Sequence, residues 1–61
     1  MPIVTLEIFP GRGKETKRAL AQNVAQAISD TLHVNVNDIT IMIKEIEKEN
    51  FAVGGELSCD K

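Results

Sequence analysis

The chain has 61 residues, of which 43% are hydrophobic and 26% charged, and its formal net charge is −2. A domain this small buries only about 60% of the surface that its unfolded chain exposes, so its own core gives marginal stability. Its single cysteine and single histidine exclude an intrachain disulfide and a structural zinc site built from several Cys and His ligands. We therefore expect association with other chains to supply stability.

The first predicted element is a β-strand near the start of the chain. Residues Ile3 to Phe9 alternate in character, with the aliphatic side chains of Val4, Leu6 and Ile8 on one face, and this period of two is typical of a strand. Pro10 has no N–H group to donate to a neighbouring strand, and the glycine after it favours a turn. We expect the strand to end before this pair.

The next predicted element is an amphipathic helix from Lys14 to Leu32. Apolar residues recur there at spacings of three and four, and four alanines raise the helix propensity. Gly13 is an acceptable N-cap, and Glu15 in the first turn suits the helix dipole. The predicted inward stripe consists of Leu20, Val24, Ala27, Ile28, Thr31 and Leu32.

A second strand and a hairpin complete the predicted fold. Residues Ile39 to Ile46 are apolar at nearly every early position, which indicates a strand buried on both faces, whereas residues 45–50 are charged and expected to be exposed. Phe51 to Leu57 predicts a short hairpin, because the Gly54-Gly55 pair allows positive φ angles.

This order of elements predicts an α/β (α+β) fold over residues 1–61, with one βαβ unit, a right-handed parallel crossover and a short C-terminal hairpin. A single domain of two strands and one helix leaves one sheet face and both sheet edges uncovered. We expect copies of the chain to pair through these surfaces and form extended sheets. The slightly acidic composition argues against nucleic-acid binding, and no apolar run or signal peptide indicates a membrane or secreted protein, so we expect a cytoplasmic one.

Pro2 is the first candidate for chemistry. Within a chain its nitrogen is an amide and not a base, but removal of Met1 turns it into a secondary amine. An unperturbed α-amino group has a pKa of about 7.7–8.0, and an apolar setting near a cation lowers that pKa. Such an amine suits general-base proton abstraction beside a carbonyl. Taken alone, the Met-Pro pair also fits an ordinary chain start.

Arg12 is the second candidate, between the first strand and the helix. Glycines flank it, and its planar guanidinium matches a carboxylate. Cations at a helix N-terminus oppose the dipole, so this basic stretch indicates attraction of an anion, although a solvated helix end is an alternative. Four of the seven basic residues lie here, namely Arg12, Lys14, Lys17 and Arg18.

Together these features resemble the 4-oxalocrotonate tautomerase family along essentially the whole chain. The resemblance rests on the length, on Pro2-Ile3, on Gly11-Arg12, and on Phe51-x-x-Gly54-Gly55-Glu56-Leu57. It implies a cofactor-free isomerase without a metal, in which Met1 is removed. It also implies a homo-oligomer, since the family forms hexamers that are trimers of dimers.

The resemblance also implies roles for individual residues. Pro2 is expected to move a proton between carbon and oxygen of an enol–keto pair, and Arg12 to bind the carboxylate of a small substrate such as 2-hydroxymuconate. Phe51 and Phe9 are expected to border the substrate pocket. Thr40, also expected at the substrate, departs from the family, whose best-studied members carry a second arginine there.

This departure bears on the substrate. A neutral hydroxyl donor is roughly half as strong as a charged one. Loss of a preorganised cationic donor can lower the rate by about 10²–10³. We therefore expect weaker activity on 2-hydroxymuconate or a different natural substrate. Two alternatives stay open from the residues themselves: Schiff-base or hydration chemistry by the same amine, and a non-catalytic oligomeric scaffold.

Overall fold

Two parallel strands joined by one helix form the main body of the chain, and the computed structural model describes all residues from 1 to 61. Strand β1 spans Ile3–Ile8, helix α1 spans Lys14–Leu32 and strand β2 spans Thr40–Glu45. The strands pair in parallel, with Ile3 opposite Thr40 at one end and Ile8 opposite Glu45 at the other. The predicted βαβ unit is confirmed, and each strand is slightly shorter than the sequence pattern indicated.

A small antiparallel hairpin follows near the C-terminus. Strand β3, Ala52–Val53, pairs with strand β4, Glu56–Leu57. Gly54 and Gly55 have φ angles of 62° and 84°, both positive, as a type I′ hairpin turn requires. The predicted hairpin is therefore confirmed. Single turns of 3₁₀ helix occupy Val36–Asp38, Lys48–Asn50 and Ser58–Asp60.

Helix α1 begins and ends where the sequence predicts, but the residues on its inward face differ in part from the predicted stripe. Gly13 is the N-cap, and His33 closes the helix in the left-handed conformation, where its N–H donates to the Ser29 carbonyl at 2.9 Å. Leu32, predicted to face inward, is 57% exposed. A helix of 19 residues is about 28 Å long, whereas six-residue strands reach only about 20 Å, so the last turn extends past the sheet.

The same overhang leaves Thr31 exposed, and Ala27 is exposed as well. Three small residues that the predicted stripe did not include, Ala21, Ala25 and Ser29, are half-buried instead. The half-buried helix residues are Lys17, Leu20, Ala21, Val24, Ala25, Ile28 and Ser29.

The sheet is covered on one face only. Val4, Leu6 and Ile8 of β1 lie half-buried beneath the helix. The opposite face, which we call the open sheet face, carries the exposed side chains of Ile3, Thr5, Glu7, Thr40, Met42 and Lys44. Met42 is 47% exposed, so the expectation that β2 is buried on both faces is wrong for a single chain. The chain has a single α-helix, which can cover only one face of the sheet.

No residue of the isolated chain is fully buried. Its accessible surface is 4682 Å², whereas surface scaling gives roughly 3,900 Å² for a folded monomer of this mass. Its radius of gyration is 14.6 Å, compared with about 10.5 Å for a typical domain of this length. The molecule is thus a thin, elongated plate only 14 Å deep. None of its helices has the length and apolar character needed to cross a membrane.

Candidate active site

Two aromatic side chains meet where β1 ends. Phe9 and Phe51 pack edge to face, with ring centroids 5.4 Å apart and an interplanar angle of 83°. This is a favoured geometry for aromatic pairs. Phe51 is fixed by its backbone, because its carbonyl accepts a hydrogen bond from the Ser58 N–H at 2.8 Å. The hairpin and the first strand therefore hold the pair together.

Arg12 lies beside this aromatic pair. Gly11 has a φ of 125°, which turns the chain out of β1, and Nη1 of Arg12 then donates to the Phe9 carbonyl at 3.2 Å. This bond uses one of the five guanidinium N–H groups, and Arg12 makes no other side-chain hydrogen bond within the chain. The groove so formed, which we call the aromatic groove, has a volume of about 450 Å³. It is lined by Glu7, Ile8, Phe9, Arg12, Ile46 and Phe51.

The basic stretch around Arg12 is partly neutralised within the chain. Nζ of Lys17 lies 2.8 Å from Oε2 of Glu45, and Arg18 pairs with Glu15 one helical turn away. Arg12 has no carboxylate within salt-bridge distance. Lys14 makes no ion pair either, so the attraction for an anion rests on Arg12 and Lys14 rather than on all four residues that the sequence grouped.

Pro2 and Thr40 meet at the other end of the sheet. The Thr40 N–H donates to the Pro2 carbonyl at 3.0 Å, so the first residue before β1 is fixed against the start of β2. Pro2 is half-buried, while Met1 is 90% exposed. Pro2 and Thr40 thus lie at the same end of the sheet.

The sequence-predicted site residues form two groups that lie apart. Phe9, Arg12 and Phe51 share the aromatic groove, whereas Pro2 and Thr40 share the opposite end of the sheet. The six residues of β1 separate the groups by roughly 20 Å. Within a single chain, the structure does not bring Pro2 to Arg12.

Sequence reasoning missed one charged residue of the aromatic groove. Glu7 lines the groove near the end of β1. The alternation of the strand predicted which way Glu7 faces, but not that it meets the groove. Nζ of Lys48 lies 5.9 Å from the centroid of the Phe9 ring, but Lys48 lines a neighbouring pocket with Glu47 and Glu49.

Comparison with known proteins identifies the family. The family model described as "Tautomerase enzyme" matches residues 2–61. A protein of Bacillus cereus named "Probable tautomerase" is 41% identical over 61 residues, which cover 100% of both chains. A "2-hydroxymuconate tautomerase" of Pseudomonas putida is 38% identical over 58 residues, which cover 95% of this chain and 92% of the relative.

Solved structures agree in fold. The crystal structure of YwhB, a homologue of 4-oxalocrotonate tautomerase, superposes with a TM-score of 0.93 at 33% identity over 98% of both chains. The βαβ unit and the short C-terminal strands match this fold. On the family match, the sequence relatives and this superposition, the chain belongs to the 4-oxalocrotonate tautomerase family of the tautomerase superfamily and is an isomerase.

Proposed function

We propose that the protein is a cofactor-free enol–keto tautomerase of small unsaturated 2-hydroxy or 2-oxo carboxylates, with Pro2 as general base after removal of Met1. The observation that carries this proposal is the aromatic groove, where the guanidinium of Arg12 lies at an apolar cavity without a carboxylate partner. A small unsaturated acid matches this groove, because its carboxylate can pair with Arg12 and its carbon chain can contact the apolar lining. Family membership supports the reaction class.

The proposed reaction moves one proton. The unprotonated Pro2 nitrogen accepts the proton of the enol hydroxyl, and the oxygen becomes a carbonyl as its electron pair forms the C=O bond. The electrons of the C=C bond take the same proton back from the ammonium onto carbon. Arg12 holds the carboxylate and draws electron density from the reacting carbon, which stabilises the transition state. No atom or electron is gained or lost.

This reaction needs more than one copy of the chain. Pro2 and Arg12 of one chain are separated by roughly the 20 Å length of β1, which exceeds the reach of a small acid. We therefore propose that the Pro2 end of one subunit completes the aromatic groove of another in a homo-oligomer of single-domain subunits. The lack of any fully buried residue and the open sheet face support such an assembly.

The aromatic setting supports a role for Pro2 as a base. Phe9, Phe51, Ile8 and Ile46 make the groove largely apolar. An apolar wall and a nearby guanidinium both disfavour a charged ammonium, so we expect the pKa of the Pro2 amine to fall below about 7.7–8.0. The amine is then free to accept a proton at neutral pH.

The names of relatives suggest the substrate that we propose, and Thr40 bears on the rate at which it is converted. Relatives named 2-hydroxymuconate tautomerase support 2-hydroxymuconate as a substrate. Thr40, next to Pro2, offers a neutral hydroxyl where a cation stabilises developing charge better. We therefore propose that this chain turns over 2-hydroxymuconate more slowly than relatives with arginine at that position.

A pH–rate profile on 2-hydroxymuconate, with intact mass measured on the same sample, tests the proposal. Protein that lacks Met1 is expected to gain activity as the pH rises through the pKa of the amine, because only the unprotonated form is a base. Arg12→Ala should lower kcat/KM, whereas Arg18→Ala, which removes an arginine already paired with Glu15, should not. Full activity in protein that retains Met1 would refute Pro2 as the base. No activity in protein that lacks Met1 would favour a scaffold role.

A further inference from the structure

Glu7 is a charged residue of the aromatic groove that the proposed mechanism does not use. It lines the groove together with Arg12 and four apolar residues, and it is exposed. Its carboxylate takes part in no side-chain hydrogen bond and no salt bridge within the chain. An unpaired negative charge therefore lies at the cavity that is proposed to bind an anion.

The cations nearest to Glu7 leave this charge uncompensated. Lys44 lies opposite Glu7 in the parallel register of β1 and β2, but the two side chains form no salt bridge and Lys44 does not line the groove. Lys48 lies over the Phe9 ring and lines the neighbouring pocket beside two glutamates. Arg12 is thus the one cation that lines the groove.

The charges that line the aromatic groove match a ligand with one carboxylate. Arg12 contributes one positive charge and Glu7 one negative charge, and the other lining residues are uncharged. A first carboxylate that pairs with Arg12 leaves Glu7 as the remaining charge of the groove. A second carboxylate in the same cavity is repelled by Glu7, because salt screens such a repulsion only beyond about 8 Å at physiological ionic strength.

The other end of the sheet adds no fixed cation to the proposed site. Pro2 is uncharged in its basic form, and Thr40 offers a neutral hydroxyl. The nearest charged residue before Thr40 is Asp38, which is exposed and acidic. Lys44 lies four residues beyond Thr40 on β2, at a distance of about 13 Å along the strand. A second carboxylate therefore finds a positively charged side chain at neither end.

We propose that Glu7 is a specificity-determining residue that repels a second carboxylate, so that the groove prefers unsaturated monocarboxylates with an apolar far end to the corresponding dicarboxylates. This inference rests on the proposed function, because it narrows the ligand class of the same groove. The single carboxylate of such a ligand pairs with Arg12, and its apolar end contacts Phe9 and Phe51. Slow turnover of the dicarboxylate 2-hydroxymuconate then has a second cause besides Thr40.

Two unreactive acids of the same carbon skeleton test the assignment by binding. Sorbate carries one carboxylate and trans,trans-muconate carries two, and both are six-carbon dienes. Calorimetry on the assembled wild-type protein at neutral pH should give about fivefold tighter binding of sorbate, the factor that one partly exposed pair of charges contributes. Glu7→Gln keeps the shape and removes the charge, so it should strengthen muconate more than sorbate and bring the two dissociation constants together. Tighter binding of muconate by the wild type would overturn the inference.

Two further variants separate a local charge effect from packing and from overall charge. Glu7→Asp keeps the negative charge and should keep the preference for sorbate; loss of the preference in this variant would assign it to packing and overturn the inference. Asp30→Asn removes the same charge from an exposed helix position, and an amide oxygen still accepts the hydrogen bond from Gln26. This variant should leave the preference unchanged, and an effect equal to that of Glu7→Gln would assign it to the overall charge.

The failure of this inference is distinguishable from failure of the proposed function. If both acids bind and Glu7→Gln leaves the ratio of their dissociation constants unchanged, the role of Glu7 is refuted while the groove stands as the substrate site. If neither acid binds, or neither shifts the ring resonances of Phe9 and Phe51 in an NMR titration, both are refuted. Added salt should narrow the preference for sorbate in the wild type, since it screens the repulsion between Glu7 and the second carboxylate.

Discussion

The two ends of the parallel sheet are built for different tasks. At the end where the strands begin, Pro2 and Thr40 are joined by a backbone hydrogen bond, and neither carries a charged side chain. At the end where the strands finish, Phe9 and Phe51 form an apolar wall with Arg12 beside it. One end offers a nitrogen and a neutral hydroxyl, and the other offers a cavity and a cation. In the proposed mechanism, neither end alone can bind an acid and move its proton.

The largest expected effect comes from blocking the nitrogen at the first end. Acetylation of the Pro2 amine removes the lone pair and should lower kcat by about 10²–10⁴, the range that general-base catalysis contributes. Steady-state rates on protein whose acetylation is verified by mass spectrometry provide the measurement. Pro2→Ala is the matched control, because it keeps a primary amine and should lose less activity.

Removal of the cation at the second end should have the next largest effect. Arg12→Ala is expected to lower kcat/KM by about 10- to 150-fold, because hydrogen bonds to charged groups contribute about 1.5–3 kcal/mol. The loss should appear mainly in KM for the carboxylate. Arg18→Ala tests whether the effect is local, and an equal loss in that variant would assign it to the overall charge.

Mixing the two defective proteins sharpens the comparison. If a site combines Pro2 from one chain with Arg12 from another, co-refolding equal amounts of acetylated protein and Arg12→Ala should regenerate about a quarter of the sites with both groups intact. Recovery to about that level is expected in a rate assay. Absence of any recovery in a mixed oligomer would show that each site uses one chain only.

A smaller effect is expected from adding a cation to the first end. Thr40→Arg should raise the rate on 2-hydroxymuconate by about tenfold, a conservative part of the 10²–10³ that preorganised donors contribute. Thr31→Arg places the same charge at the exposed end of the helix and serves as the control. A fall in rate for Thr40→Arg alone would mean that the threonine hydroxyl suits a different substrate.

The smallest expected effect concerns stability at the second end. Lys17→Met removes the ion pair with Glu45, whose side chains are 31% and 34% exposed. A pair exposed to this degree contributes about 0.2–1 kcal/mol, so denaturant unfolding should show a loss within that range. Lys14→Met, which breaks no ion pair, is the comparison. A loss several times larger would indicate that Lys17 also supports the packing of the helix on β2.

Most of the fold could be predicted from the sequence, because the spacing of apolar residues changes clearly from strand to helix and back to strand. The alternation of Val4, Leu6 and Ile8 identified β1, and the Gly54-Gly55 pair identified the hairpin turn. The inward face of the helix was less accessible. Leu32 fits the helical stripe, yet it lies past the end of the short strands, and only the relative lengths of helix and sheet reveal this.

The candidate site was only partly accessible from the sequence. Pro2 and Arg12 were predicted from their chemistry, and Phe51 from its family motif; the structure places Arg12 and Phe51 at one groove and Pro2 apart from it. Glu7 was not predicted, because the alternation of β1 predicts only that its side chain faces away from the helix. Its place at the aromatic groove depends on how the chain after β2 brings Phe51 back to the end of β1.

The thin, plate-like shape of the chain has a consequence for measuring its stability. No residue of the single chain is fully buried, so in the proposed homo-oligomer contacts between molecules contribute much of the free energy that favours the native state. Melting temperature should therefore rise with protein concentration, and dilution should weaken folding and catalysis together. For this chain, a melting temperature or free energy of unfolding should be given together with the protein concentration at which it was measured.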